Sequence, residues 1–293
     1  MILVTGATGN TGRLVIEGLA ARGVPFRAMT RSETKRQALA AKGVPAVLGD
    51  FGAPDTLRAA LEGVDTAYLV CTPDERLSTS ERAFIAAAKA AGAKKLVKCG
   101  AHSAGHDSGS PNLRMHAVVE DALRASGMTY TILRPHFFMQ TYFWMTAPLV
   151  MQQGIMSYPA GDGPIPLIDV RDVGDIALKA LLDPGFEDQA YDLTGPAALT
   201  PAHMAASLSR ALGRPIPYVE APEAALEGAM LQMGVPDAPR NHVLWCFREQ
   251  RAQSFDYVSK GHDAFGITLR TYDDFAADLA AGKTGTATSD FAS

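Results

Sequence analysis

Gly6-Ala7-Thr8-Gly9-Asn10-Thr11-Gly12 stands between an apolar run and a helical pattern, and that placement suits it to hold a pyrophosphate. Glycine at three places permits a tight turn, close approach of the main chain to phosphate oxygens, and close packing of helix on strand. Free N–H groups at the helix start then face the anion, helped by the helix dipole. Gly6, Thr8, Gly9, Asn10, Thr11 and Gly12 are therefore the expected cofactor contacts. The bland reading of the same residues is an ordinary glycine-rich loop between strand and helix.

A second signal closes the next apolar run, Met29-Thr30-Arg31, at the place where NAD-specific proteins carry an acid. Arg31 can instead make a bidentate contact to a 2′-phosphate, and Lys35, one helical turn later, can add to it. A charge-assisted hydrogen bond contributes roughly 1.5–3 kcal/mol, about ten- to 150-fold in preference. NADPH is the expected cofactor, with NADH admissible; a solvated surface arginine is the competing reading. Further contacts are expected where later strands end. Asp50, beside Phe51, can accept from the adenine amino group, while Cys71, Thr72, Pro73, Gly100, Ala101 and Pro135 fall beside the ribose and nicotinamide.

The elements that must position these residues follow from periodicity. Strands are expected at 2–5, 26–30, 44–48, 66–71, 95–99 and 130–133, alternating with helices at 11–22, 33–42, 54–62, 80–91 and 112–126. Most of these helices stop at a glycine. Continuously apolar strands joined by helices imply right-handed βαβ units and a doubly wound parallel sheet of the Rossmann type, an α/β fold. After Pro135 the regularity breaks: an aromatic and Met-rich stretch leads to the loop Ala160-Gly161-Asp162-Gly163-Pro164. Helices are expected at 169–182, 201–212, 223–233 and 240–250, with strand-like segments at 190–193 and 216–219. The expected organisation is a dinucleotide-binding domain over 1–150 and a smaller α+β substrate lobe over 151–284, some of it returning to the sheet. A disordered tail is expected at 285–293.

Composition narrows the partners. The chain has 293 residues, 47% apolar and 20% charged, and a formal net charge of −4, which gives no reason to expect nucleic acid or an anionic membrane. Cys71, Cys99 and Cys246 are far apart, so neither a disulfide framework nor a zinc knuckle is indicated and a cytoplasmic setting fits. The N-terminus shows no signal peptide, and the most apolar later stretch, 137–151, falls short of the ~20 residues that span a bilayer. His102 and His106 have a metal-like spacing but lie in a Ser/Gly-rich loop where no helix would fix them, so no metal is expected. Asp169, Arg171, Asp172 and Asp175 look like a capping and ion-pair cluster at a helix start.

The G-x-x-G-x-x-G spacing is similar to that of the short-chain dehydrogenase/reductase superfamily. Together with Thr30-Arg31, Gly49-Asp50, Lys95-Leu96-Val97-Lys98, Met115-His116-Ala117-Val118-Val119-Glu120, the strand ending Arg134-Pro135, and Asp169-Val170-Arg171-Asp172-Val173, the chain resembles the NmrA-like atypical reductases. The resemblance covers about residues 1–280 and is strongest in the first 140. It implies relatives among type 2 quinone oxidoreductases, triphenylmethane-dye reductases and azoreductases, and also among NADP-binding regulators that catalyse nothing. Most short-chain dehydrogenases place a Tyr-x-x-x-Lys pair on the helix after the fifth strand; aligned through Glu120, those positions hold Asn112 and His116. Alcohol–ketone chemistry of the superfamily is thereby disfavoured, and so is an epimerase.

His116 is the catalytic candidate, as a partner of the nicotinamide ribose or a proton relay near neutral pH; its alternative is a histidine packed on a helix face. A quinone or azo acceptor tolerates the missing tyrosine, because hydride lands on an electron-poor conjugated system whose anion is delocalised. His136, Phe137, Phe138, Gln140, Phe143 and Trp144 are the expected lining of the acceptor pocket, where flat aromatic substrates stack, although any one of them could equally be core. The expectation is an NADPH-dependent reductase of conjugated aromatics, with a small aromatic substrate as partner and a homodimer left open. A nucleotide-sensing regulator is the alternative.

Overall fold

In the computed structural model, which describes residues 1–283, the apolar run Ile2–Val4 forms β1 and leads through the glycine turn into helix α1, Asn10–Ala21. There follow β2 (Phe26–Thr30), α2 (Glu33–Ala41), β3 (Ala46–Leu48), α3 (Pro54–Ala60), β4 (Thr66–Leu69), α4 (Leu77–Ala90), β5 (Lys95–Cys99), α5 (Pro111–Arg124) and β6 (Thr129–Pro135). The alternation expected from periodicity is present, with ends shifted by a few residues. Beyond Pro135 come α6 (Met139–Trp144), α7 (Ala147–Gln153), β7 (Met156–Tyr158), α8 (Val170–Leu182), β8 (Gln189–Leu193), α9 (Pro201–Leu212), β9 (Tyr218–Glu220), α10 (Glu223–Gln232) and α11 (Asp237–Arg251). A short 3-10 turn, Gly261–Phe265, precedes the last helix, α12 (Tyr272–Ala280).

Seven strands form one sheet in the order β3-β2-β1-β4-β5-β6-β8, every neighbouring pair parallel. The strand order reverses between β1 and β4, and in open α/β sheets ligands bind at the carboxyl ends flanking such a switch. Leu3, Leu69, Leu96 and Ile132 from the strands pack with Phe84, Val119 and Leu123 from α4 and α5 as one buried cluster. Each such side chain taken out of water contributes roughly 1.5–3 kcal/mol.

Two compact units divide the chain. The first is Met1–Pro135 with Val173–Leu193 and Gly261–Ile267; the second is His136–Asp172 with Thr194–Lys260 and the described residues from Thr268 on. The first continuous stretch of the first unit runs to Pro135, and α6 and α7 bury their apolar side chains in the core of the second unit. Strand β8 pairs with β6 at the edge of the large sheet. The second unit holds a two-stranded parallel sheet, β7 with β9, and a core that includes Tyr142, Phe143, Tyr158, Met204, Phe247 and Phe275. Helix α12 is an element that periodicity missed; Thr271 and Asp274 close a reciprocal capping box at its start. The tail expected at 285–293 lies outside the described residues.

Candidate functional site

The glycine turn is built from backbone. Gly6 has φ +57, and a Cβ there would lie 2.6 Å from Val70 Cγ1. A Cβ on Gly12 would lie 2.3 Å from Gly6 O, so α1 packs against the turn with no room for a side chain. Gly9 N–H donates to Gly6 O at 2.8 Å, and Gly9 is the N-cap of α1 with no side-chain cap and no acid in the first turn. Thr5 Oγ1 ties the strand end to β4, donating to Val70 O at 2.8 Å. Thr8 and Gly9 are exposed, Asn10 is partly exposed, and Thr11 and Gly12 are buried beneath them. A helix start without a side-chain cap, packed closely on a glycine turn, is the cradle that a pyrophosphate fits.

Arg31, just past β2, and Lys35, on the first turn of α2, are exposed, and among the described residues neither pairs with an acid. The neighbouring carboxylate, Glu33, is taken by Arg36 at 2.6 Å and by Gln37, which hold it down at about 2. Cations left available past the carboxyl end of β2 suit an anionic ligand such as a 2′-phosphate. Asp50 closes β3 with its Oδ1 accepting from Gly52 N–H at 2.8 Å, and Phe51 meets Phe84 edge-on with centroids 5.5 Å apart.

The ends of β4 and β5 carry the buried chemistry of the first unit. Thr72 and Pro73 are exposed, while Cys71 is partly buried, its thiol pushed up by burial and by Glu81 beside it. Gly100 and Ala101 are partly exposed, and Gly100 N–H donates to Leu133 O at 2.7 Å. Beneath them Lys98, fully buried on β5, pairs with the equally buried Glu81 of α4, and its Nζ lies 3.3 Å from His116 Nδ1. Burial pushes the Glu81 carboxyl up and the Lys98 charge pulls it back. His116 is 7% exposed and Asn112, one turn earlier on α5, 3%; the Asn112 Nδ2 has no hydrogen-bond partner among the described residues. Glu120, a turn beyond His116, accepts from Arg134 Nε and from Arg124, each at 2.9 Å. The sequence signal for His116 led to this cluster; nothing local in the sequence pointed to Lys98 with Glu81.

Other singled-out residues go elsewhere. His106 pairs with Asp121 at 2.6 Å and His102 approaches Asp192 at 3.4 Å, so the two histidines do not converge. Among the described residues no group of three or more His, Cys, Asp and Glu could hold a metal ion. Asp169 and Arg171 form a bidentate pair that continues to Asp278, and Asp172 is held by Arg270, an ion-pair cluster at the start of α8.

In the second unit the six expected acceptor residues separate into two groups. Phe143 is 1% exposed against Phe275, and Gln140, equally buried, accepts from Val170 N–H at 2.9 Å; both lie in the interior, where α6 buries most of its face. Trp144 is 38% exposed, meeting Phe143 edge-on, and Phe138 is partly exposed beside Ile168. His136 meets Phe255 edge-on at 4.7 Å. Phe137 belongs to an aromatic run that sequence reasoning missed: its ring lies 12° from parallel to His242 with centroids 6.2 Å apart, and His242 lies 18° from parallel to Trp245 at 6.1 Å. Burial holds His242 at about 4, so the run is uncharged at neutral pH. Phe137, His242 and Trp245 are each partly exposed.

The model of the NmrA-like family matches residues 1–275. An NAD(P)H azoreductase of Xenophilus azovorans is 40% identical over 240 residues, covering 81% of this chain and 83% of its own. A (4-alkanoyl-5-oxo-2,5-dihydrofuran-3-yl)methyl phosphate reductase of Streptomyces griseus is 35% identical over 282 residues, 96% of this chain and 98% of its own. The crystal structure of an NADPH-dependent quinone oxidoreductase of Escherichia coli, complexed with NADPH, aligns with a TM-score of 0.83 at 30% identity, over 95% of this chain and 99% of that one.

Proposed function

The chain belongs to the NmrA-like family, and from that premise we propose that it is an NADPH-dependent oxidoreductase acting on conjugated aromatic acceptors of the quinone or azo class. The observation that carries this reading is the start of α1, with no side-chain cap and no room for a Cβ at Gly12 against Gly6 O, together with two exposed cations, Arg31 just past the neighbouring strand and Lys35 on the first turn of α2. Gly6, Thr8, Gly9, Asn10, Thr11 and Gly12 hold the pyrophosphate; Arg31 and Lys35 hold the 2′-phosphate; Asp50, Phe51, Cys71, Thr72, Pro73, Gly100, Ala101 and Pro135 line the adenine, ribose and nicotinamide. NADPH, when bound, supplies the hydride.

The aromatic acceptor is supported by the run Phe137–His242–Trp245, whose near-parallel rings offer an apolar, uncharged face to a flat conjugated molecule. His136 reaches the run through Phe255, which meets both His136 and Trp245 edge-on; Phe138 and Trp144 offer further partly exposed aromatic surface, while Gln140 and Phe143 are interior residues of the same unit. His116 orients the reacting end of the cofactor. With Asn112 where many relatives of the wider superfamily have tyrosine, no strong acid is aimed at the acceptor, which suits an acceptor whose anion is delocalised. We place the reaction in the cytoplasm, where NADPH is held reduced; among the described residues no helix is long and apolar enough to cross a membrane.

Acceptor-dependent oxidation of NADPH by the purified chain, followed by loss of the reduced-nicotinamide absorbance against a panel of quinones and azo dyes with NADH alongside, tests the reading. Turnover faster with NADPH than with NADH is the expected result. Tight NADPH binding with no turnover on any acceptor would instead make the chain a nucleotide sensor.

A further inference from the structure

Lys98 and Glu81 form a buried ion pair beside the cofactor-facing end of the sheet, with side chains 0% and 1% exposed. Burying such a pair costs stability unless each charge is well partnered, and well-packed apolar residues would often serve the fold equally well. Its placement touches a third group, His116, whose Nδ1 lies 3.3 Å from Lys98 Nζ. An ammonium has three donors and no acceptor, so at this contact Nδ1 must accept, and the one proton of the neutral ring must sit on Nε2. Protonating Nδ1 would set a second cation against Lys98 and break the contact.

We propose that Lys98, anchored by Glu81, is a positioning residue that locks His116 as a neutral Nε2–H donor, so that His116 orients the bound cofactor as a fixed hydrogen-bond donor and does not titrate in the working range. The role assigned to His116 in the reaction rests on the reductase reading above; the state of its ring does not. The locked ring differs from a proton relay in a definite way. A relay must gain and lose a proton near neutral pH, whereas this ring has one nitrogen occupied by a cation and the other permanently protonated. The acceptor's proton then comes from solvent.

Lys98 faces His116 Nδ1 at 3.3 Å, and the other charged and titratable groups on the strands and helices beside α5 are placed as follows. Strand β5 also carries Lys95, which pairs with Glu187, and Cys99, whose thiol burial pushes up. Helix α4 carries Glu81, committed to Lys98, and Arg82 and Lys89, both exposed. Strand β6 carries Tyr130 and Arg134, the latter committed to Glu120, the acid one turn along α5 from His116.

The test reads the ring directly in the protein without cofactor. Nitrogen-15 two-bond correlation spectra of the seven histidines, with His116 assigned by its loss in His116→Asn, are followed from about pH 5 to about pH 8. The expected wild-type result is an unprotonated Nδ1, a protonated Nε2 and no titration of His116 across that range. Lys98→Met, which keeps the length and removes the charge, should bring the His116 midpoint back toward about 6.5, a change of at least about tenfold in its protonation constant. In kcat/KM with NADPH and a quinone, the wild type should show no inflection from His116, and Lys98→Met should gain one. A wild-type His116 that titrates near its ordinary value, or that carries its proton on Nδ1, overturns the proposal. The wild-type spectrum decides the matter even where Lys98→Met does not fold, and an absence of turnover on every acceptor would defeat the reductase reading while leaving the ring's state measured.

Discussion

Replacing Gly12 by alanine adds a single methyl group where α1 packs most tightly on the glycine turn proposed to hold the phosphates. That methyl would lie 2.3 Å from Gly6 O, 2.7 Å from Gly6 C and 2.9 Å from Thr5 O, all of them backbone atoms that no rotamer change can move. Ordinary contact begins at 3.4 Å, so the start of the helix must retreat by 3.4 − 2.3, or 1.1 Å. An N–H that donates to a phosphate oxygen at about 2.9 Å would then stand about 4 Å away and no longer make a hydrogen bond. Losing one charge-assisted bond of roughly 1.5–3 kcal/mol weakens NADPH binding about ten- to 150-fold. Gly9→Ala is the control, because its methyl meets only Gly6 O, at 3.2 Å, and needs a shift of a few tenths of an ångström. A calorimetric titration of NADPH into both variants, with thermal unfolding of each, makes the comparison. Gly12→Ala should lose at least tenfold in affinity while Gly9→Ala stays within about threefold. If Gly12→Ala binds as tightly as Gly9→Ala with an unchanged Tm, the cradle is not where the phosphates sit.

Arg31→Glu should lower the ratio of NADPH to NADH affinity by at least about tenfold, since it replaces an attraction by a repulsion at the 2′-phosphate; an unchanged ratio in paired titrations would remove Arg31 from the site. Phe137→Ala should raise KM for a quinone several-fold with kcat nearly kept, because the lost ring contact, worth about 0.5–1.5 kcal/mol beyond its area, holds the acceptor without reacting; steady-state kinetics with an unchanged KM would take the aromatic run out of the acceptor site. His242 carries a pH signature. Its folded value of about 4 lies below the ordinary 6.5, so the unfolded chain binds the proton first as pH falls. The stability this contributes is whole above about pH 6.5 and is lost as pH drops toward about 4, to a total on the order of 3 kcal/mol. Urea unfolding of His242→Phe should accordingly show a smaller loss between those limits than the wild type, and equal losses would mean that His242 is charged in the fold.

The first unit was legible in the sequence because each of its elements carries its own punctuation. An apolar run such as Ala67-Tyr68-Leu69, buried on both faces, is followed by a helix and a glycine stop such as Gly92, and the candidate cofactor residues lie at the ends of those runs, where open α/β sheets place ligands. The second unit offered no such period. Helix α6 is six residues long with Met139, Gln140, Tyr142 and Phe143 all buried, so it has no polar face to reveal a helix. Strands β7 and β9 are three residues each, and Met156 finds Tyr218 only through the tertiary fold. For the same reason Phe137 was visible as an aromatic next to the sixth strand, whereas His242 and Trp245 were two polar-helix residues until packing set His242 near-parallel to Phe137 and Trp245 near-parallel to His242.

Lys98 shows how chemistry can be hidden inside a legible element. In Lys95-Leu96-Val97-Lys98 the alternation of a strand puts Lys98 on the same face as the buried Leu96, and a lysine at a strand end ordinarily reaches water. What keeps it inside is Glu81, seventeen positions earlier on a helix whose pattern shows only an amphipathic surface element with one more acid. An ion pair that the core could have replaced with two apolar side chains, placed against the only nitrogen of His116 that could otherwise take a proton, is better explained by what it does to that ring than by what it does for the fold.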